Sequence, residues 1–116
     1  FCFGTVDMAA PKGTPNIAIG ESAANAREIL MKAKTYGATA MISAPPVAET
    51  EHCLRLESLC TAYSAICSTI VDIFHPLLKS GYVQDLSDGV HPGPSGNEMI
   101  ASALLAAPAL QSWFRE

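Results

Sequence analysis

The feature that most constrains the fold of this 116-residue chain is the alternation of helix-like segments with short, continuous apolar runs. Apolar residues recur with a helical period in three segments, and the apolar runs 39–42 and 68–73 lie between them. Continuous runs rich in β-branched residues are typical of strands that are covered on both faces. The order of the segments therefore favours a parallel sheet whose strands are connected by helices packed against it.

Each helical segment has an apolar stripe and a boundary signal. Ser22 is a candidate N-cap of the first helix and Gly37 is its candidate end. Gly93 and Pro94 precede the third helix, where Pro suits the first turn, and Pro108 is a candidate break. The three stripes are Ala26, Ile29, Leu30 and Ala33; Cys53, Leu56, Cys60, Tyr63 and Cys67; and Ile100, Ala103, Leu104 and Ala107.

The composition indicates one globular domain and excludes several classes of partner. The chain is 49% hydrophobic and 16% charged, which places it far from disordered sequences. Its formal net charge is −4 and its seven Lys and Arg residues are scattered, so a nucleic-acid partner is not expected. No apolar run approaches the roughly 20 residues that a transmembrane helix needs. We predict no nucleic-acid partner and no transmembrane segment.

The opening residues Phe1-Cys2-Phe3-Gly4 predict the end of a strand whose beginning is missing. The visible strands and helices are few for a parallel sheet, because sheets usually have about 5–6 strands. Residues 1–116 are therefore expected to form a single partial domain. An exposed strand edge seeks a partner, which here would be an N-terminal segment of the same protein or a second copy of the chain.

Cysteine spacing argues against disulfides in the second helical segment. Cys53, Cys60 and Cys67 are seven residues apart, which separates neighbours by about 10 Å along a helix. A disulfide needs Cα atoms within about 7 Å. These cysteines, and Cys2 in the first strand, are predicted to be small apolar side chains in a reducing compartment. A cytoplasmic location is the expectation.

The strongest local signal for chemistry is the segment from Asp88 to Pro92, Asp-Gly-Val-His-Pro. A carboxylate three residues before an imidazole can contact Nδ1 of His91, which leaves Nε2 free to take a proton from a nucleophile. Gly89 allows a tight approach and Pro92 helps end the loop before the helix. Two alternatives remain, namely a surface loop with a solvated His91, and a metal site for which a third ligand is missing.

Two blocks of the sequence resemble those of the SGNH (GDSL-type) hydrolase family. The segment 88–97, Asp-Gly-Val-His-Pro-Gly-Pro-Ser-Gly-Asn, followed by the Ile-Ala-x-Ala-Leu helix at 100–104, is similar to the final family block. Residues 3–8, Phe-Gly-Thr-Val-Asp-Met, resemble the Gly-x-Asn-Asp block. The resemblance covers essentially the whole chain. It implies a flavodoxin-like three-layer α/β/α sandwich with a parallel sheet, of which this chain would be the C-terminal half.

The resemblance implies a serine ester hydrolase of the esterase or lipase type. Asp88 and His91 would be the acid and the base of a Ser-His-Asp triad. The serine would lie in a block upstream of Phe1, so the 116 residues alone are expected to be inactive. The implied substrate is a small-molecule ester, and neither a cofactor nor a metal is implied.

The same resemblance assigns an oxyanion and substrate-binding loop to Gly4, Thr5, Val6 and Asp7. Val6 stands where the family has Asn, and a Val side chain cannot donate a hydrogen bond to an oxyanion. Loss of one such donor typically lowers kcat by about 10²–10³-fold. A catalytically silent SGNH-fold module for binding or assembly is therefore the main alternative function. A flavodoxin-like ligand-binding domain is a second, but the sequence has no glycine-rich phosphate-binding loop.

The remaining polar residues near strand and helix ends are predicted to be structural. Ser43 ends a strand but is followed by Pro-Pro instead of a sharp glycine turn, so a nucleophilic role is not favoured. Structural or solvent contacts are the expectation for a further set, in which the two histidines are predicted to be exposed without a suitable partner: Asp7, Asp72, Ser87, Ser95, His52 and His75.

Overall fold

The computed structural model describes residues 1–113 and 115 of the chain. Two strands, β1 (Met41–Ile42) and β2 (Ile70–Val71), lie among helices that come in the order α1 (Thr5–Met8), α2 (Ile19–Ala33), α3 (Thr50–Ile66), α4 (Phe74–Lys79), α5 (Pro94–Ala106) and α6 (Pro108–Gln111). A 3₁₀ turn at Tyr82–Asp85 connects α4 to the loop that precedes α5.

The predicted three-layer α/β/α sandwich is wrong. Helices, with the 3₁₀ turn included, make up 55% of the described residues, which makes this a small helical domain. In the described residues the sheet consists of β1 and β2 alone, paired in parallel with Met41 opposite Ile70 and Ile42 opposite Val71. The strand expected at Phe1-Cys2-Phe3 is reduced to one isolated parallel bridge between Cys2 and Ile42.

Each strand has two residues because a serine and two prolines end the hydrogen-bond ladder just after β1. Ser43 donates its backbone N–H to Val71 at 3.0 Å, and it is the last residue of the first strand segment to join the ladder. Pro45 and Pro46 follow, and proline has no N–H to donate. On the other strand, α4 begins three residues after Val71. The apolar runs predicted the position of the strands but not their length.

The three helices predicted from apolar stripes are present as α2, α3 and α5, whereas α1 and α4 were not predicted. The end of α2 precedes Gly37, α3 carries the cysteine stripe, and Gly93 is the N-cap of α5 with Pro94 in its first turn. The predicted break is also present, since α6 begins at Pro108. Ser22 is not an N-cap, because α2 begins at Ile19 and the Ser22 hydroxyl donates to Asp7 Oδ2 at 2.6 Å.

Two clusters of buried side chains lie on the two sides of the short sheet. Met41 and the partly buried Ile70 belong to the cluster formed with α1, α2 and α3. Val71 and the partly buried Ile42 belong to the cluster formed with α4, α5 and α6. Successive side chains of a strand point to opposite faces, so each strand contributes to both clusters. A pair of two-residue strands is therefore enough to join the two helical groups.

The cysteines are free, as their spacing predicted. Cys60 is buried, and Cys53 and Cys67 are partly buried against the first cluster. Cys2 is exposed, contrary to the expectation of a buried strand position. Over residues 1–113 and 115, no helix has both the length and the apolar character required to cross a membrane.

Candidate functional site

Asp88 and His91 are in direct contact, as their spacing predicted. The loop that carries them is closed by an antiparallel bridge between Leu86 and Pro92, and Gly89 adopts φ 81°, a left-handed conformation that suits glycine. Asp88 Oδ1 accepts the backbone N–H groups of Val90 at 2.9 Å and His91 at 2.7 Å. Its Oδ2 accepts Nδ1–H of His91 at 2.6 Å.

This contact determines which nitrogen of His91 is available for chemistry. A carboxylate only accepts hydrogen bonds, so Nδ1 carries the proton and Nε2 of the neutral ring has a free lone pair. The His91 side chain is 81% exposed, so Nε2 is accessible to a reacting group. The hydrogen bonds that Asp88 accepts, first from the backbone N–H of His91 and then from its ring, hold the pKa of the Asp88 carboxyl well below its usual range.

We expect the carboxyl carbon of Asp88 to titrate in an NMR experiment with a midpoint below the value of about 3.9 for an unperturbed Asp. His91→Ala should raise this midpoint only in part, because alanine keeps the backbone N–H that contributes most. Since the folded pKa is the lower one, the carboxylate stabilises the fold above pH ~3.9, and this contribution is lost as pH falls through the folded pKa. An ordinary midpoint in the unsubstituted protein would contradict the observed hydrogen bonding.

A groove of about 320 Å³ includes Ala48 in its lining, and neither Asp88 nor His91 is among the residues that line it. It is bounded by Val47 and Ala48, the first half of α3, and residues of α4 and the 3₁₀ turn. Ala48 connects the groove to the loop, because its backbone N–H donates to the carbonyl of Gly89 at 2.8 Å. Much of the groove surface is apolar, with contributions from Leu54, Phe74, Leu78 and Val83. The groove has the character of a small-molecule site.

Residues Gly4 to Asp7 form a tight turn that opens into α1. Gly4 has φ 128°, and a Cβ at this position would lie 2.6 Å from Cδ2 of Leu59, so only glycine fits. The side chain of Val6 is 74% exposed. Asp7 accepts a hydrogen bond from Ser22, which confirms its structural contact. Among the described residues, no hydrogen bond or ion pair joins this turn to Asp88 or His91.

The prediction that His52 is exposed is wrong. It is 8% exposed, and its Nε2–H donates to the backbone carbonyl of Thr5 at 2.7 Å. The helix that carries it is capped by Glu49, whose carboxylate accepts the N–H groups of Glu51 and His52. These hydrogen bonds lower the pKa of Glu49. His52 thus fixes the backbone of the Gly4–Asp7 turn from α3, a long-range contact that its position at a helix start does not reveal.

Ser43 is structural, in agreement with the prediction. Its side chain is fully buried, and its Oγ accepts the backbone N–H groups of Ile73 at 2.9 Å and Phe74 at 3.0 Å. Ser87 and Ser95 are exposed. Across residues 1–113 and 115, no serine hydroxyl is hydrogen-bonded to His91.

A second Asp–His pair with the same spacing was missed by the sequence interpretation, which left His75 without a partner. Asp72 Oδ2 accepts Nδ1–H of His75 at 2.6 Å, and Asp72 Oδ1 accepts the backbone N–H of His75 at 3.2 Å. The Asp-x-x-His pattern that identified the first pair is also present at 72–75 and could have identified this one. The structural role predicted for Asp72 is confirmed by these hydrogen bonds.

The two Asp–His pairs differ in the neighbour of the Nε2 atom of the histidine. Nε2 of His75 lies 3.4 Å from Oε1 of Glu57, whereas no acidic residue in the described part of the chain forms an ion pair with Nε2 of His91. Cys60 also lies near the second pair, with Sγ 3.9 Å from Asp72 Oδ1. Burial, followed by the charge of Asp72, raises the pKa of the Cys60 thiol to about 11. At neutral pH this thiol is not a thiolate nucleophile.

No protein-family model matches the sequence, and no curated protein gives a significant match.

Proposed function

We propose that the protein hydrolyses carboxylic esters and that His91, oriented by Asp88, is the general base. The observation that carries the proposal is the 2.6 Å hydrogen bond from Nδ1 of His91 to Asp88 Oδ2, which leaves Nε2 on an exposed side chain. The resemblance of the segments 3–8 and 88–97 to SGNH hydrolase blocks supports the same chemistry.

In the proposed reaction, a serine hydroxyl attacks the ester carbonyl while Nε2 of His91 removes its proton. The imidazolium that results is stabilised by the carboxylate of Asp88, which stays ionised throughout. Nε2–H then protonates the alkoxide that leaves as the alcohol. In deacylation Nε2 takes a proton from a water molecule that attacks the acyl-serine, and returns it to the serine oxygen as the carboxylic acid is released. In this proposal the serine lies outside residues 1–116, as the resemblance to the hydrolase blocks implies, and no serine of the described residues contacts His91.

His91 is a better general base than His75 for a geometric reason. Nε2 of His75 faces the carboxylate of Glu57, and a ring held between two carboxylates is not free to take a proton from a hydroxyl. Nε2 of His91 has no such neighbour among residues 1–113 and 115. We assign catalysis to the Asp88–His91 pair for this reason.

We also propose that Gly4, Thr5, Val6 and Asp7 line the side of the site where the oxyanion develops. Because the side chain of Val6 cannot donate a hydrogen bond, the donors would be backbone N–H groups of this turn and of the upstream segment. The close contact of Gly4 with Leu59 and the hydrogen bond from His52 to Thr5 support the idea that this turn is held rigidly. Rigid donors are the ones that stabilise an oxyanion effectively.

The proposal is tested by labelling the intact protein with a fluorophosphonate, which reacts with activated serines, and mapping the labelled peptide. We expect one labelled serine, outside residues 1–116, and we expect His91→Ala to abolish labelling while Ser87→Ala and Ser95→Ala leave it unchanged. A label on Ser43, Ser87 or Ser95 would contradict the assignment of the nucleophile. Absence of any label in a folded protein would instead support a silent binding or assembly module.

A further inference from the structure

Four side chains with the chemistry of metal ligands converge where α3 meets the start of α4. Glu57 and Cys60 are three residues apart on α3, and residues at this spacing share one face of a helix. Asp72 and His75 approach the same face from the end of β2. The ligand atoms of Cys60, Asp72 and His75 all lie within 4.8 Å of one another. In the described residues, none of the four is bonded to Asp88 or His91.

We propose that Cys60, Asp72 and His75 bind a divalent cation of the Zn²⁺ class and that Glu57 orients His75. One sulfur, one carboxylate oxygen and one imidazole nitrogen form a donor set that zinc accepts, whereas Mg²⁺ and Ca²⁺ prefer oxygen ligands alone. Three protein ligands leave the fourth tetrahedral position to water. The three proposed ligands are separate from Asp88 and His91, although Glu57 also lines the groove described above.

The present contacts are close to what coordination requires. Tetrahedral bonds of about 2.0–2.3 Å place ligand atoms roughly 3.3–3.6 Å apart. Nδ1 of His75 is 2.6 Å from Asp72 Oδ2, and Sγ of Cys60 is 3.9 Å from Asp72 Oδ1. These two distances involve different oxygens of Asp72, and the three ligand atoms all lie within 4.8 Å of one another. Coordination through one oxygen therefore requires shifts of up to about 1.5 Å, which side-chain rotations can supply.

Glu57 provides the second, independent indication of a metal site. A cation bound to Nδ1 of His75 moves the ring proton to Nε2, and Nε2 already lies 3.4 Å from Oε1 of Glu57. Histidine ligands almost always donate their other ring N–H to a carboxylate, carbonyl or water, and this contact orients the ring toward the metal. Within residues 1–113 and 115, the Asp88–His91 pair has neither such a carboxylate nor a thiol beside it, so the combination distinguishes the second pair.

The proposed site is open to solvent and carries the charge that a divalent cation needs. Cys60 is 5% exposed, but the side chains of His75 and Asp72 are 42% and 41% exposed, so a cation can enter from solvent. On binding, the Cys60 thiol releases one proton to water, while the His75 proton only moves from Nδ1 to Nε2. One thiolate and one carboxylate then balance the two charges of the cation.

The test is a titration of the reduced, metal-free intact protein with Co²⁺, followed by the thiolate-to-cobalt charge-transfer absorption in the near ultraviolet. We expect one ion per chain, displaced by Zn²⁺. Cys60→Ser should abolish the absorption, and Cys67→Ser, a thiol on the same stripe, should leave it unchanged. Absorption that survives in Cys60→Ser, or that is lost in Cys67→Ser, would overturn the proposal.

Because Cys60 is buried, two variants at more exposed positions keep the test valid if Cys60→Ser does not fold. Glu57→Gln should keep the absorption but weaken Zn²⁺ binding about 10–100-fold, the usual effect of losing an orienting partner. His75→Ala should weaken binding at least as much, since it removes a direct ligand. Far-ultraviolet circular dichroism checks that both are folded. Unchanged affinity in both folded variants would show that any bound ion lies elsewhere.

Discussion

Replacing His91 with alanine in the intact protein is expected to lower kcat for an activated ester by roughly 10⁴–10⁶-fold, with little change in KM. The expected loss is large because, in the proposed reaction, His91 is the group that takes the proton of the serine hydroxyl. KM should stay nearly constant because proton transfer belongs to the transition state and contributes little to ground-state binding. Steady-state hydrolysis of an aryl ester measures both constants.

Asp88→Asn provides the matching test of the hydrogen bond that orients His91. An amide in place of the carboxylate favours the wrong tautomer of the ring, which is expected to lower kcat by about 10⁴-fold. Because Asp88 acts through His91, the double variant should be no slower than His91→Ala alone. Independent, additive losses in the double variant would contradict a shared mechanism.

The control substitutions for the His91 and Asp88 variants are at serines on either side of these two residues. Ser87→Ala and Ser95→Ala each remove an exposed hydroxyl close in sequence to Asp88 or His91, and both should keep kcat within a few-fold. A folded His91→Ala variant with unchanged turnover would exclude His91 as the base.

Replacing Ser43 with alanine is expected to destabilise the fold by about 2–5 kcal/mol. Its buried Oγ accepts two backbone N–H groups, from Ile73 and Phe74, and each buried N–H left without an acceptor costs about 1–3 kcal/mol. Ser43 is fully buried, so bulk solvent does not contact its hydroxyl in the folded protein. The midpoint of urea unfolding, compared at equal slope, measures the change.

Ser58→Ala is the matched control on α3. Its hydroxyl donates to the carbonyl of Leu54 at 3.0 Å in an exposed position, where water can replace it. Alanine is also the better helix former, so the change in unfolding free energy should stay within about 0.5 kcal/mol. If Ser43→Ala and Ser58→Ala shift the midpoint equally, the Ser43 hydroxyl does not support the start of α4.

The helices and the Asp88–His91 contact could be predicted because both depend on residues close in sequence. An apolar stripe of period 3.6 needs only its own segment, and the predicted positions of α2, α3 and α5 agree with the structure. The contact of Asp88 with His91 likewise spans three residues in one loop, which a left-handed Gly89 closes.

The size of the sheet could not be predicted in the same way. A short apolar run is compatible with a strand of any sheet, and whether it pairs depends on which segments meet it in space. Here Ser43 turns its hydroxyl to α4 and the following Pro-Pro ends the ladder, so β1 and β2 pair over two residues each. The predicted three-layer sandwich required longer strands than these contacts allow.

The sequence by itself determined the positions of α2, α3 and α5 and the contact of Asp88 with His91, because each of these follows from interactions within a few residues; α1 and α4 were not predicted. Only the tertiary structure decided that Glu57 and Cys60 face the Asp72–His75 pair, that His52 is buried against Thr5, and that Ser43 supports α4. These side chains are brought together by the packing of α3 against α1 and by the short parallel sheet. Such contacts join residues far apart in the chain, and no local period records them.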